Sequence, residues 1–130
     1  MDAAQALADL TEISSQIEAA ALFGESGDVA ASTFADEERA RSFVRSARGL
    51  LDAAAALRSS AAPNQIEVAT AEGSVFVVRD DGRLIAAATT PEPTVGLVFY
   101  DLKSCLRAVA AEEPEPRKPQ RRSRQKAEDA

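Results

Sequence analysis

The sequence predicts an α+β domain with a five-stranded antiparallel sheet and three helices in the order α-β-β-α-β-β-β-α. Residues 65–90 read as three short strands, because β-branched and aromatic residues predominate and Glu72-Gly73 and Asp81-Gly82 supply the positive φ of tight hairpins. Segments whose apolar residues recur at helical spacing lie on both sides of this meander in the sequence. A sheet and helices that carry no chemical motif indicate an interaction module rather than a catalyst.

The first helix is predicted over residues 3–17, where apolar side chains recur every three or four positions. This stripe comprises Ala3, Ala6, Leu7, Leu10, Ile13 and Ile17. Two short apolar runs then flank a polar, glycine-bearing turn, and they predict the first two strands at residues 19–23 and 29–33.

A second, long helix is predicted to begin at a capping box formed by Thr33 and Asp36, with acidic residues in its first turn. Ser59, Ser60 and Pro63 are expected to end it. Its apolar stripe consists of Ala40, Phe43, Val44, Ala47, Leu50, Leu51, Ala54 and Leu57. After the meander, Pro91 and Pro93 block the last strand and lead into a third helix, with an apolar stripe of Val95, Val98, Leu102, Leu106 and Val109.

The chain is long enough for one core, which we expect over residues 1–111. Residues 112–130 contain six basic and five acidic side chains, which leaves nine basic and sixteen acidic residues in 1–111. The folded part is therefore acidic and unsuited to nucleic acid. Residues 112–130 lack large apolar side chains, so we expect a disordered charged tail.

Composition argues against an enzyme. There is no histidine, and the single Cys105 lies on a predicted amphipathic helix, where it is expected to be a small buried hydrophobe. No metal and no cofactor is expected. The chain has no phosphate-binding loop, so it is not itself a GTPase. The N-terminus lacks a basic signal region and no apolar run is long enough to span a membrane, which predicts a cytoplasmic protein.

Three segments together resemble the roadblock / dynein light chain family, including its bacterial members that regulate Ras-like GTPases. They are Leu7-Ala8-Asp9-Leu10, the hairpin at residues 20–32, and the strand at residues 81–89 running into residues 94–102. The likeness covers about residues 3–110 and consists of hydrophobic rhythm and turn glycines. The chain departs from the family at Ile17-Glu18, where many relatives have a glycine, and in its alanine-rich first strand.

The resemblance implies a roadblock/profilin-like sandwich that forms homodimers by pairing third strands and second helices. It also implies binding of small GTPases, motor subunits or signalling scaffolds without hydrolysis of nucleotide. A third strand at the sheet edge has unpaired backbone groups that could pair with a second copy. In the alternative, the charge of Glu67 at that edge prevents such pairing and the protein is a monomer. The expected dimer contacts are Gly49, Ala53, Leu57, Ile66, Val68 and Thr70.

Two basic groups are candidates for partner contacts. Arg41, Arg45 and Arg48 share one helix face that suits the acidic surface of a GTPase, although such stripes are often simply solvated. A second basic patch in the tail is either a tether to an anionic partner or a solubilising segment; it comprises Arg117, Lys118, Arg121, Arg122, Arg124 and Lys126. A metabolite sensor of related fold is the competing function.

Overall fold

The computed structural model describes residues 2–58 and 63–112, and the predicted element order is confirmed. The helices and strands are α1 (Ala3–Ile13), β1 (Ile17–Gly24), β2 (Val29–Ser32), α2 (Glu37–Arg58), β3 (Gln65–Thr70), β4 (Gly73–Asp80), β5 (Arg83–Thr89) and α3 (Val95–Glu112). All pairings are antiparallel, and the five strands lie in the order β2-β1-β5-β4-β3. The predicted tail lies outside the described residues, so the boundary near residue 111 stays a prediction.

The first helix is shorter than predicted. The backbone N–H of Ser14 donates to the carbonyl of Leu10 and closes α1 at Ile13, whose side chain is 73% exposed. Ile17 belongs instead to β1, where it is buried and opposes Thr89. The apolar spacing continues into Ile17 by coincidence, because inward positions of a strand also recur at short intervals.

The predicted capping box of the second helix is also wrong. Thr33 extends the β1–β2 pairing, since its N–H donates to the Ala20 carbonyl and its hydroxyl accepts from the Ala20 N–H. Asp36 alone caps α2, with its carboxylate accepting the Glu38 N–H at 2.9 Å. The helix therefore begins at Glu37, with Glu37 and Glu38 in its first turn, as expected for the helix dipole.

Small side chains occupy the centre of the sheet. Ala20 and Ala21 of β1 oppose Ala87 and Ala86 of β5, and all four are fully buried. Because successive strand residues point to opposite faces, each face receives one alanine pair. Because these four central side chains are small, helices can approach the sheet closely on both faces.

The two faces of the sheet carry separate apolar cores. On one face, α1 and α3 pack over a larger core that includes Phe76, which meets Phe99 of α3 edge-on with ring centroids 4.9 Å apart. On the other face, α2 alone covers a smaller core made of Ala21, Phe23, Val44, Ala47, Leu51, Val77, Leu84 and Ala86. Two helices thus cover one face and a single helix covers the other.

Both predicted glycine turns form the meander. Asp81 and Gly82 both adopt positive φ in the turn between β4 and β5, and this turn geometry accounts for an Asp-Gly pair at these positions. Gly73 begins β4 with φ +145°, and a Cβ there would collide with the carbonyl oxygen of Thr89. The close approach of β4 to β5 at this point therefore requires glycine.

Replacing Gly73 with alanine is expected to destabilise the fold by about 1–3 kcal/mol, because the new methyl group meets backbone and the φ angle becomes strained. Urea unfolding followed by circular dichroism measures this change. Gly24→Ala is the matched control, because no atom lies within 4 Å of the position that a Cβ would take at Gly24 and its φ is outside the left-handed region. Equal stability of the two variants would contradict the close approach.

Candidate interaction surfaces

Strand β3 is a free edge of the sheet, as predicted. The carbonyl of Asn64 accepts a hydrogen bond from the Arg79 N–H of β4. Because bonding direction alternates along an antiparallel strand, the N–H and C=O groups of Gln65, Glu67 and Ala69 point away from β4. The described part of the chain contains no strand that pairs with them.

The sheet surface beside this edge is apolar and half covered. Ile66 and Val68 oppose Val77 and Val75 of β4, so all four side chains lie on the face that α2 covers. Val77 is fully buried beneath α2, whereas Ile66, Val68 and Val75 are only partly buried. Thr70, predicted with them, uses its hydroxyl within the hairpin, where it donates to the carbonyl of Gly73.

The flank of α2 that faces this surface is also apolar. Arg48 lies against Gly27 in the β1–β2 turn, so the opposite flank of the helix faces β5, β4 and β3. That flank carries Phe43, Leu50, Ala54 and Leu57, and Leu57 is 85% exposed. Gly49 and Ala53 lie on the outer surface of the helix, where both are exposed.

The structure brings Arg41, Arg45 and Arg48 together beside the β1–β2 turn. They line an open cavity of about 430 Å³ with Ser26, Gly27, Val44 and Asp52. Arg41 pairs with Glu38 at 2.8 Å and with Glu37 at 3.7 Å. Arg45 and Arg48 have no ion-pair partner among residues 2–58 and 63–112, which leaves their guanidinium groups available to an acidic partner.

Sequence reasoning missed a groove between α1 and α3 on the other face of the sheet. The groove has a volume of about 170 Å³ and is lined by Ala6, Asp9, Leu10, Ile13, Asp101, Ser104, Cys105 and Ala108. A signal for it was present in the sequence, because Leu97 and Tyr100 fall outside the buried stripe of α3. They are 48% and 64% exposed.

Burial dominates the electrostatics of this groove. It raises the pKa of Cys105 to about 11, with a smaller contribution from the negative charge of Asp9. Burial also raises the pKa of Asp101. The thiol therefore stays protonated at neutral pH and behaves as a small buried hydrophobe, as the sequence predicted.

Metal binding and metabolite binding are the chemical alternatives to an interaction module. The described residues contain no group of three or more cysteine, aspartate or glutamate side chains placed to hold a metal ion. The groove between α1 and α3 is smaller than the roughly 300–1,000 Å³ usual for small-molecule sites, whereas the open cavity beside the α2 arginines, about 430 Å³, falls within that range. None of the described helices has the length and apolar character that a bilayer crossing requires. The basic tail residues lie outside the described residues.

These features define a helix-and-sheet domain with a free strand edge and charged helix faces. Neither a protein-family model nor a curated protein matches the sequence. Among solved structures, the chain is similar to a Roadblock/LC7 domain from Streptomyces avermitilis, with a TM-score of 0.74 and 19% identity over 85% of this chain and 97% of that one.

Two further solved structures agree. The gliding protein MglB from Thermus thermophilus has a TM-score of 0.63 and 18% identity, covering 84% of this chain and 86% of its own. MglB from Myxococcus xanthus has a TM-score of 0.62 and 13% identity, covering 84% and 83%. The chain therefore has the Roadblock/LC7 fold, and the resemblance inferred from its sequence is confirmed at the level of the fold.

The raised pKa of Cys105 predicts a loss of stability in alkali. The unfolded thiol ionises near pH 9 and the folded thiol near pH 11. Between these values the unfolded state binds fewer protons, so the free energy of unfolding falls as pH rises from about 9 to 11. Urea unfolding across this range measures the slope. Cys105→Ala is less stable at neutral pH and lacks this contribution, so an identical slope in both proteins would contradict the assignment.

Proposed function

We propose that this protein is a non-catalytic homodimeric adaptor that binds a Ras-like small GTPase or a related signalling scaffold in the cytoplasm. The observation that carries the proposal is the free edge of β3 beside a half-covered apolar surface. Exposed edges and apolar patches are features that soluble proteins normally cover. The Roadblock/LC7 fold and the family resemblance supply the class of partner.

Pairing β3 with its counterpart in a second copy satisfies the outward backbone groups and doubles the sheet. In this arrangement Ile66, Val68 and Thr70 lie next to the partner's sheet and the apolar flank of α2 packs beside the partner's α2. Leu57 belongs to that flank, and the small residues Gly49 and Ala53 permit close approach of the helices at its outer side. The contact is isologous, so it closes as a dimer.

The position of Glu67 supports pairing over a blunted edge. Its carboxylate accepts a hydrogen bond from the hydroxyl of Ser74, on the neighbouring strand, at 3.2 Å. The side chain is therefore drawn back over its own sheet instead of projecting past the edge. A carboxylate held by a bond within its own sheet is less free to obstruct an approaching strand.

The arginine cluster on α2 is the proposed contact with the partner. Arg48 lies about 180° around α2 from Leu57, and Arg45 lies one turn from Gly49, so the proposed partner surface borders the outer side of the proposed dimer contact. Such an adaptor acts by binding one nucleotide state of the GTPase more tightly than the other, which shifts its population without contributing catalytic groups.

The dimer is tested by Glu67→Pro. Proline removes an N–H that points to the free edge and is not used within the monomer, so we expect a folded protein that sediments as a monomer while the parent sediments as a dimer. Glu67→Ala is the control, because it removes the same side chain and keeps the N–H. Dimeric Glu67→Pro, or a monomeric parent, would exclude pairing through β3.

The partner surface is tested by charge reversal. Small GTPases encoded near the gene are loaded with GDP or a GTP analogue, and their association with the chain is measured by calorimetry together with GTP turnover. We expect the double variant Arg45→Glu/Arg48→Glu to weaken binding at least about tenfold, because like charges then face the acidic partner. Arg39→Glu, on another face of the same helix, is expected to leave binding nearly unchanged. Absence of binding to every GTPase would contradict the proposed partner class.

A further inference from the structure

The groove between α1 and α3 has an exposed apolar border. Leu97 lies one helical turn before Asp101 and Tyr100 one turn before Ser104, so both continue the α3 wall of the groove. Ile13, at the end of α1, faces the same groove. The N–H of Thr94 donates to the side chain of Gln16 at 2.6 Å and ties the start of α3 to the end of α1. The three exposed apolar residues therefore share one end of the groove.

The two charged side chains that line the groove, Asp9 and Asp101, are acidic. Arg107 reaches the edge of the groove by donating to the hydroxyl of Ser104 at 3.4 Å. Helix α1 carries Asp9 and Glu12 and has no lysine or arginine, and Asp101 adds a carboxylate from α3. The basic residues of α3, Lys103 and Arg107, line a separate cavity with Asn64 and Gln65 toward β3. Burial raises the pKa of Asp101, so an incoming cation would stabilise its ionised form.

We propose that the α1–α3 groove is a docking site for an amphipathic helix of a partner protein whose apolar side chains are bordered by lysine or arginine. Helices commonly bind grooves between helices through large apolar side chains spaced three or four residues apart. Ile13, Leu97 and Tyr100 provide the apolar contacts, and Asp9 and Asp101 provide the complementary charge. The groove lies across the sheet from α2, so docking leaves the proposed dimer and arginine surfaces free.

The chain's own basic segment fits this groove less well. Residues 117–126 supply positive charge but contain no large apolar side chain to cover Ile13 and Leu97. A helix that carries both kinds of side chain matches both features of the groove.

The test is a selection of displayed helical peptides against the full chain, followed by fluorescence anisotropy with the peptides recovered. We expect sequences with large apolar residues at helical spacing and adjacent lysine or arginine. Leu97→Ser/Tyr100→Ser should weaken their binding at least about tenfold. Asp101→Asn should weaken it less and reduce its dependence on salt. Glu72→Gln, which removes an exposed carboxylate in the β3–β4 turn, should leave affinity unchanged.

Several results would overturn the proposal. The selection could enrich acidic peptides, or it could enrich no peptide at all. The recovered peptides could also bind the Leu97→Ser/Tyr100→Ser variant as tightly as they bind the parent. A full-length variant with Arg121→Gln, Arg122→Gln and Arg124→Gln that binds the peptides at least about tenfold tighter would assign the groove to the chain's own tail. A lower sedimenting mass of Leu97→Ser/Tyr100→Ser would assign it to a second copy.

Discussion

The width of the sheet relative to its helices is the constraint on which the other features depend. Five strands spaced about 4.8 Å apart span roughly 19 Å between the outermost backbones, whereas one helix with its side chains is about 10–12 Å across. Two helices therefore suffice for one face, and a single α2 cannot cover the other. The uncovered strip falls at β3 because α2 lies over the β1 side, with Arg48 against the turn that follows β1. Incomplete coverage of this kind is a property of the topology and not of any one residue.

The central alanines determine how the covered parts pack. Ala21 and Ala86 lie under α2, and Ala20 and Ala87 lie under the other two helices. With so little side-chain volume at the centre, larger residues such as Phe76 fill the space around them. The alanine-rich β1 is thus a good strand despite its low intrinsic propensity, because its neighbours on both sides and both faces decide its conformation.

Sequence periodicity predicted the fold well where a pattern had one interpretation, as in the meander with its two glycine turns. Ile17 was assigned to the wrong element because a strand residue fits a helical stripe, and Thr33 resembles a cap although its hydroxyl bonds to β1. Both errors concern element ends, where local pattern competes with tertiary pairing that a single sequence does not display. The arginines of α2 were predictable as one surface, since residues three or four apart are neighbours on a helix. The α1–α3 groove was predictable in part, because Leu97 and Tyr100 fall outside the buried stripe of α3, but Ile13 was expected inside the α1 stripe and lies exposed at the end of the shortened helix.

Charged side chains cluster at two separate surfaces of the domain. Arg41, Arg45 and Arg48 lie together beside the β1–β2 turn, whereas Asp9 and Asp101 line the groove between α1 and α3. Charged residues at the rim of an interface chiefly set association rate and partner choice, while buried apolar contacts set its lifetime. The β3 edge is bordered by apolar side chains, so the proposed self-association there should depend less on ionic strength than the proposed binding at either charged surface.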